Sequence, residues 1–210
     1  MKEDQRPIAH VMLDIETLGT TKDSIILSCA LKSFALPGQA NSVDVEVEYH
    51  RTISVASAIL YHRFADYDTV EWWRNPKRKA ALDKMLAEQK NAITMDQLGQ
   101  ELYPLLTQLN KKYNLQIWGR GVGSFDMPIL SSTLEAVIGD TYREPWGYWA
   151  ANDVRTLYRF AGWAGMEQPE EKTPHDAMAD CLKEINEVLR VWEYIHTGVN
   201  TQRVASEPHE

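Results

Sequence analysis

Two acidic residues, Asp14 and Glu16, lie directly after the apolar run of residues 8–13 near the start of the chain. Because side chains two positions apart on a strand point to the same face, both carboxylates are expected at one rim of a sheet. Two anions so placed attract a hard divalent cation, Mg²⁺ or Mn²⁺, which keeps coordination positions open for water and a phosphate. The alternative is that the pair simply ends a strand in solvent.

A third acid, a fourth acid and a histidine occur further along the chain. Asp126 follows the glycine-rich segment 119–123 and precedes an apolar helix, where helix capping is the alternative role. His175 and Asp180 are five residues apart, and five helical steps rotate by roughly 140°, so a shared site requires His175 on the loop that enters the last helix. Asp180 adjoins the apolar side of that helix, where an unpaired acid is costly and a metal would compensate it. For His175 the alternative is an exposed helix-entry residue, and Asp176 is expected to be structural.

The hydrophobic pattern predicts a sheet flanked by helices, an α/β fold, to position these residues. The first apolar run is typical of a strand that is covered on both faces near the middle of a sheet, and the next two strands are expected to pair with it as an antiparallel meander. Strands are predicted at 8–13, 24–34, 43–53 and 115–118. Helices are predicted at 70–75, 77–91, 94–113, 125–137, 154–160 and 177–195.

Composition limits the possible partners. The 210 residues include 22 basic and 30 acidic side chains, a net charge of −8, so nucleic acid would need a local binding site rather than general attraction. Cys29 and Cys181 have neither the spacing of a zinc site nor that of a disulfide framework. The acidic, proline-containing start does not resemble a signal peptide, and no apolar stretch approaches the length of a membrane span. We therefore expect one cytoplasmic domain without membrane association.

The acids and the histidine resemble, in type and order, the DEDDh family of 3′–5′ exonucleases. The resemblance rests on Asp14 and Glu16 in Leu-Asp-Ile-Glu-Thr, on Asp126 in Ser-Phe-Asp, and on His175 with Asp180. It implies a ribonuclease-H-like fold, with a mixed central sheet of five or six strands and helices on both faces. It also implies a divalent-metal-dependent exonuclease that releases nucleoside 5′-monophosphates from single-stranded DNA or RNA with a free 3′ end.

Segments 69–73, 118–119 and 153–156 are similar to the branch that includes a phage exodeoxyribonuclease called DexA and a mycobacterial exoribonuclease. This similarity makes a phage or prophage origin plausible. The resemblance covers a core of about residues 8 to 195 and leaves 197–210 as a polar tail. The loop 120–123 departs from the family pattern, in which a shorter polar link is expected.

The resemblance implies the role of each site residue. Two metal ions about 4 Å apart can bind the attacking water and the leaving 3′ oxygen. Asp14 would bridge both ions, Glu16 and Asp180 would complete the first, and Asp126 would support the second. His175 would act as the general base, since a histidine on an entry loop can accept a proton near neutral pH.

Substrate contacts are also implied, at Thr17, Leu18, Gly19, Trp72, Ser124 and Arg155. Trp72 and Trp73 adjoin the basic residues of 74–79, a combination that suits single-stranded nucleic acid. The alternative is that at least one tryptophan belongs to the core and that the basic residues form a solvated helix face. Arg155 either contacts a phosphate or ties helices together.

Two other functions are kept as alternatives. Residues 14–17 are similar to the nucleophile loop of haloacid-dehalogenase-like phosphatases, although the second acid is Glu16 and no convincing downstream lysine and Gly-Asp-x-x-x-Asp segment follows. A non-catalytic nucleic-acid-binding module on the same fold is the second alternative. The sequence does not decide whether the substrate is DNA or RNA. It contains seven tryptophans, and whether some of them form an exposed patch for a homodimer is also undecided.

Overall fold

The central strand of the sheet carries both of the first two acids. In the computed structural model, which describes residues 5–168 and 175–198, the apolar run continues as one strand, β1, through Asp14 and Glu16. The strand order is β4-β2-β1-β5-β6, with β3 paired to the start of β1. The strands are β1 (Ile8–Thr17), β2 (Ile26–Phe34), β3 (Ser42–Val43), β4 (Glu48–Thr52), β5 (Asn114–Gly119) and β6 (Ala151–Asp153).

The described ranges also contain seven α-helices and two short 3₁₀ turns, and the last two helices follow the last strand. The helices are α1 (Val55–Leu60), α2 (Tyr67–Arg74), α3 (Lys79–Glu88), α4 (Met95–Lys112), α5 (Asp126–Ile138), α6 (Val154–Trp163) and α7 (Ala177–Thr197). The 3₁₀ turns are Gln89–Asn91 and Gly139–Thr141. The predicted α/β fold with a mixed, six-stranded sheet is confirmed. Most of the predicted tail, from residue 199 onward, lies outside the described residues.

The sheet is antiparallel on one side of β1 and parallel on the other. β1 pairs antiparallel with β2, and β2 pairs antiparallel with β4, which confirms the predicted meander. β5 runs parallel to β1, and β6 runs parallel to β5. The end of β1 and the end of β5 therefore lie at the same rim, where Asp14 and Glu16 meet the loop that leads to Asp126.

The prediction of one strand over 43–53 is wrong. The segment breaks between β3 and β4, where Glu46 adopts a left-handed φ of 54°. The carboxylate of Asp44 stabilises this turn by accepting hydrogen bonds from Ser33 Oγ (2.6 Å) and from the Glu46 amide (2.9 Å). Side-chain hydrogen bonds of this kind compete with strand pairing, and the alternation of valines with acids does not reveal them.

The two faces of β1 pack against different helices. Odd-numbered residues such as Val11 share a buried cluster with leucines of α4 and with Leu130 of α5. Met12 packs on the opposite face with Val154 of α6 and with apolar residues of α7. The Cys181 thiol of α7 donates to the Met12 carbonyl oxygen (3.8 Å), so α7 lies directly on β1. Within the described residues, no helix has the length and apolar character needed to cross a membrane.

The start of α4 is fixed by a capping box. Thr94 Oγ1 accepts a hydrogen bond from the Gln97 amide (3.2 Å), and the Gln97 side chain accepts one from the Thr94 amide (2.9 Å). Two amides that the helix leaves without an internal partner are thereby paired. The predicted start of this helix near residue 94 is confirmed.

We expect Thr94→Ala to lower the free energy of unfolding by about 1 kcal/mol, because the substitution removes the acceptor that caps α4. Thr107→Ala, at an exposed position inside the same helix, is the matched control and should change stability by less than about 0.5 kcal/mol. Urea unfolding measures both variants. Equal losses at the two positions would show that the capping box contributes nothing.

Candidate active site

Three elements bring the predicted acids and the histidine together. Asp14 and Glu16 continue the even-numbered face of β1, which points toward α7, and Asp180 lies in the first turn of α7. Ligand atoms of Glu16, His175 and Asp180 all lie within 4.8 Å of one another. Such a set of donors could hold a metal ion, and its carboxylate oxygens suit Mg²⁺ or Mn²⁺.

Asp126 enters the site from the opposite side of β1. It is the first residue of α5, and its Oδ1 accepts a hydrogen bond from the Ile15 amide of β1 (3.2 Å). Asp126 and Asp14 line a cavity of about 370 Å³ together with Arg120 and Arg155. Asp126 does not cap α5, because the N-cap is Phe125 and the carboxylate bonds to the strand. It does lie in the first turn of α5, where a negative charge interacts favourably with the helix dipole.

His175 lies just before α7, as a shared site requires. It has a left-handed φ of 53°, and its ring packs edge-on against Trp72 and Trp73, with centroids 5.1 and 5.7 Å away. Partial burial, together with the positive charges of Arg78 and Lys183, lowers the pKa of His175. The imidazole is therefore biased toward its neutral form, which can accept a proton.

Asp176 has the structural role that the sequence predicts. It is the N-cap of α7, where its side chain accepts a hydrogen bond from the Ala179 amide (3.1 Å). Its other oxygen pairs with Lys84 Nζ of α3 (2.6 Å). These two contacts fix the start of the helix that carries Asp180.

Burial raises the pKa values of the clustered acids, and the charges of neighbouring acids raise those of Asp14 and Glu16 further. Burial, followed by the charges of Asp180 and Asp126, raises the pKa of Glu16 to about 8. Burial raises the pKa of Asp126 to about 7, although the hydrogen bond from the Ile15 amide lowers it in part. Burial and the charge of Glu16 raise the pKa of Asp14 well above its usual range, and burial raises the pKa of Asp180. A cation would relieve both effects.

Sequence reasoning missed one acid of this cluster. Glu184 lies one helical turn after Asp180, is 4% exposed, and has a pKa raised to about 8, mainly by burial. Its Oε1 accepts from Nε of Arg120 (3.1 Å), which also pairs with the buried Glu187. The signal was present, since acids at 180, 184 and 187 recur at helical spacing beside the apolar side of the last helix. The ion pairs also give a role to the loop that departs from the family pattern.

A larger cleft of about 650 Å³ adjoins the acids. Glu16, Thr17, Gly19 and Trp72 contribute to its lining. The backbone is closely packed at Gly19, where an added Cβ would lie 2.4 Å from Ser24 Oγ. Glycine is therefore needed at this position for the close packing of the loop against Ser24 and Asp66.

The two neighbouring tryptophans have different environments in the structure. Trp73 is 1% exposed and donates from Nε1 to the Thr17 carbonyl oxygen (2.8 Å), so it belongs to the core. Trp72 is 41% exposed, and the Arg78 guanidinium stacks over its ring at 3.9 Å. Trp72 is thus the tryptophan of this pair that remains accessible to a ligand.

The other predicted substrate-binding residues lie partly in the core and partly beside the smaller cavity. Leu18 packs against the core clusters, and its side chain does not contribute to either cavity lining. Ser124 and Arg155 line the smaller cavity beside Asp14. Ser124 Oγ donates to the Gly121 carbonyl oxygen (2.9 Å), and Arg155 is exposed. These positions leave Arg155 facing the acid cavity.

Comparison with solved structures identifies the fold. E. coli exonuclease I in complex with a dT13 oligonucleotide is similar with a TM-score of 0.59 and 14% identity, covering 90% of this chain and 42% of that chain. The zinc-bound form of an E. coli ExoI–ssDNA complex gives a TM-score of 0.60 and 15% identity, covering 90% and 41%. An apo structure of exonuclease I gives a TM-score of 0.59 and 16% identity, covering 91% of this chain and 45% of that chain. The chain spans less than half of exonuclease I, and the two proteins share the ribonuclease-H-like fold.

A comparison of the sequence with protein families assigns the chain to one family. Residues 9–192 match the family described as the 3′–5′ exoribonuclease Rv2179c-like domain. The chain belongs to this family, which agrees with the resemblance drawn from its acids and histidine. No curated protein gives a significant match, and placement near DexA stays a prediction.

We expect the metal-free protein to lose stability as the pH rises from about 5.5 to about 8. In this interval the folded protein retains protons on Glu16 and Asp126 that the unfolded chain has released, so rising pH favours unfolding. A one-unit pKa shift in one group corresponds to about 1.4 kcal/mol, and the loss should reach at least that size. Urea unfolding in the presence of a chelator measures it.

The control for this pH dependence is Glu16→Gln, which removes one of the titrating groups and should flatten the profile. Saturating Mn²⁺ should flatten it as well, because a bound cation favours the ionised carboxylates. A metal-free wild-type protein that is as stable at about pH 8 as at about pH 5.5 would contradict the raised pKa values.

Proposed function

We propose that the chain is a divalent-metal-dependent 3′–5′ exonuclease of the DEDDh type. It removes nucleoside 5′-monophosphates from the free 3′ end of single-stranded DNA or RNA. The observation that carries the proposal is the convergence of Asp14, Glu16, Asp126 and Asp180 with His175 beside an open cleft. The family assignment and the likeness to exonuclease I, whose structures include oligonucleotide complexes, support it.

The donor set fits two divalent ions. It consists of hard carboxylate oxygens whose pKa values are raised by burial and, for Asp14 and Glu16, by neighbouring acids, so a cation would stabilise their ionised forms. Asp14 would bind both ions, Glu16 and Asp180 would complete the first, and Asp126 would support the second. When bound, the ions would activate the attacking water and stabilise the leaving 3′ oxygen.

The remaining residues bind substrate and move a proton. The lowered pKa of His175 favours its neutral form, which in this role accepts a proton from the attacking water. Thr17 and Gly19 offer main-chain surface to the terminal nucleotide, and Trp72 offers an exposed ring for stacking. Arg155 faces the acid cavity and would contact a phosphate.

Single strands are the preferred substrate in this proposal. A terminal nucleotide must separate from a partner strand before it can enter the cleft, and the net charge of −8 provides little attraction for a duplex. The family description names an exoribonuclease, whereas the exonuclease I structures hold DNA, so both polymers belong in the test. A single cytoplasmic domain, a phage origin and a homodimer stay predictions.

The direct test uses matched DNA and RNA oligonucleotides labelled at the 5′ end. With Mg²⁺ or Mn²⁺, the wild-type protein should shorten at least one of them stepwise from the 3′ end, and a chelator should stop the reaction. Asp14→Asn should be inactive but folded, while Asp140→Asn, at an exposed site, should remain active. If neither polymer is shortened, the protein is a non-catalytic binding module. The family assignment gives no support to the phosphatase alternative.

Substitution of His175 should separate chemistry from metal binding. His175→Ala should lower kcat by about 10²–10⁴-fold at neutral pH, because it removes the general base. The wild-type rate should rise with pH on an acidic limb that lies below the ordinary titration range of histidine. The variant should lack this limb.

Two measurements check the assignment of His175, namely kcat against pH and Mn²⁺ binding in the absence of substrate. Mn²⁺ should bind His175→Ala as it binds the wild type. Because the ring nitrogens lie near Glu16 and Asp180, the rival role is that of a metal ligand. Weak Mn²⁺ binding by the variant would support that rival, and an unchanged acidic limb would assign the proton to another group.

A further inference from the structure

Glu184 is a buried acid that the proposed mechanism does not use. It lies on α7 four residues after Asp180 and is 4% exposed. Arg120 holds its Oε1, whereas its Oε2 is buried without a hydrogen-bond partner among the described residues. An ionised oxygen left in this state is costly, so the site has capacity for one more positive ligand.

Glu184 has a position relative to Asp180 on α7 that is similar to the position of Asp14 relative to Glu16 on β1. Two residues along a strand span about 6.6 Å, and four residues along a helix span about 6 Å. The distance along β1 from Glu16 to Asp14 is therefore similar to the distance along α7 from Asp180 to Glu184. The charges agree with this register. Asp180 is the acid that acts most strongly on Glu16, whereas Glu184 acts on Asp14 more strongly than Asp180 does.

Arg120 connects Glu184 to the acid cavity. The Arg120 side chain lines the cavity of about 370 Å³ that also holds Asp14 and Asp126. The same guanidinium donates to Glu184 and pairs with Glu187, the next acid on this side of α7. One oxygen of Glu184 is therefore fixed by Arg120, which leaves the other to a further cation.

We propose that Glu184 is a fifth carboxylate of the metal site, whose Oε2 binds a metal ion or a metal-bound water while Arg120 holds Oε1. This inference rests on the proposed metal-dependent function. The competing explanation is a purely structural ion-pair network, in which Arg120 ties the loop after β5 to α7 through Glu184 and Glu187 alike.

Mn²⁺ binding without substrate tests the inference, by calorimetry or by the electron paramagnetic resonance of free Mn²⁺. Glu184→Gln keeps the shape and an acceptor for Arg120 but removes the charge, and it should weaken binding by about 10–100-fold. Glu187→Gln is the matched control, since Glu187 is also buried on α7 and also pairs with Arg120. This control should bind Mn²⁺ within about threefold of the wild type. Equal effects of the two substitutions, or no effect of either, would overturn the inference.

Thermal unfolding provides a second readout that does not depend on activity. Without metal and near pH 7, Glu184 is mostly protonated because burial raises its pKa to about 8, so Glu184→Gln should change Tm little. With saturating Mn²⁺, its Tm should rise less than that of the wild type, because binding stabilises in proportion to affinity. A full metal-induced rise in Glu184→Gln would contradict the proposal.

Arg120→Gln gives an independent result if Glu184→Gln proves too unstable to study. The loss of Arg120 leaves the charge of Glu184 uncompensated, so Mn²⁺ should raise Tm more in this variant than in the wild type. An equal or smaller rise would overturn the inference. If the wild type binds no Mn²⁺ at neutral pH, the proposed function fails together with the inference. If the wild type binds Mn²⁺ and Glu184→Gln binds it equally well, the inference alone fails.

Discussion

The burial of several carboxylates at one place is the constraint on which this structure depends. Burial raises the pKa values of Asp14, Glu16, Asp126 and Asp180, the charges of neighbouring acids raise those of Asp14 and Glu16 further, and an unpaired buried charge costs several kcal/mol. The apolar packing on both faces of β1 offsets this cost, since each buried aliphatic side chain contributes about 1.5–3 kcal/mol. The fold thus holds together a set of acids that would otherwise separate, and this arrangement favours the binding of divalent cations.

The elements around β1 explain why the acids cannot move apart. The Asp126 carboxylate is tied to the strand by the Ile15 amide, and α7 is tied to it by the Cys181 thiol. The start of α7 is fixed by Asp176, whose partner Lys84 comes from a different helix. Arg120 adds a positive charge beside the cluster on a loop that departs from the family pattern. Local capping and ion pairs therefore position residues that long-range packing brings near.

Much of the fold could be predicted because it rests on local patterns, whereas the shared site of the acids and the histidine is predicted from their resemblance to a known family. The apolar run before Asp14, the alternation along β1 and the helical spacing of the leucines in α4 are periodic signals. The break between β3 and β4 depends on side-chain hydrogen bonds from Asp44, which periodicity does not record. Which of the two tryptophans is buried, and which acid of α7 acts on Asp14, depend on how the helices pack against the sheet. A single sequence does not specify that packing.

The most direct test of the central claim is crystallographic. Crystals of the wild-type protein soaked in Mn²⁺ should show two anomalous-scattering peaks about 4 Å apart, both in contact with Asp14. One peak should lie beside Glu16 and Asp180, and the other should lie beside Asp126. If no peak appears at these acids, or if Mn²⁺ binds only at exposed carboxylates elsewhere, the account of a fold built to hold a two-metal site would be contradicted.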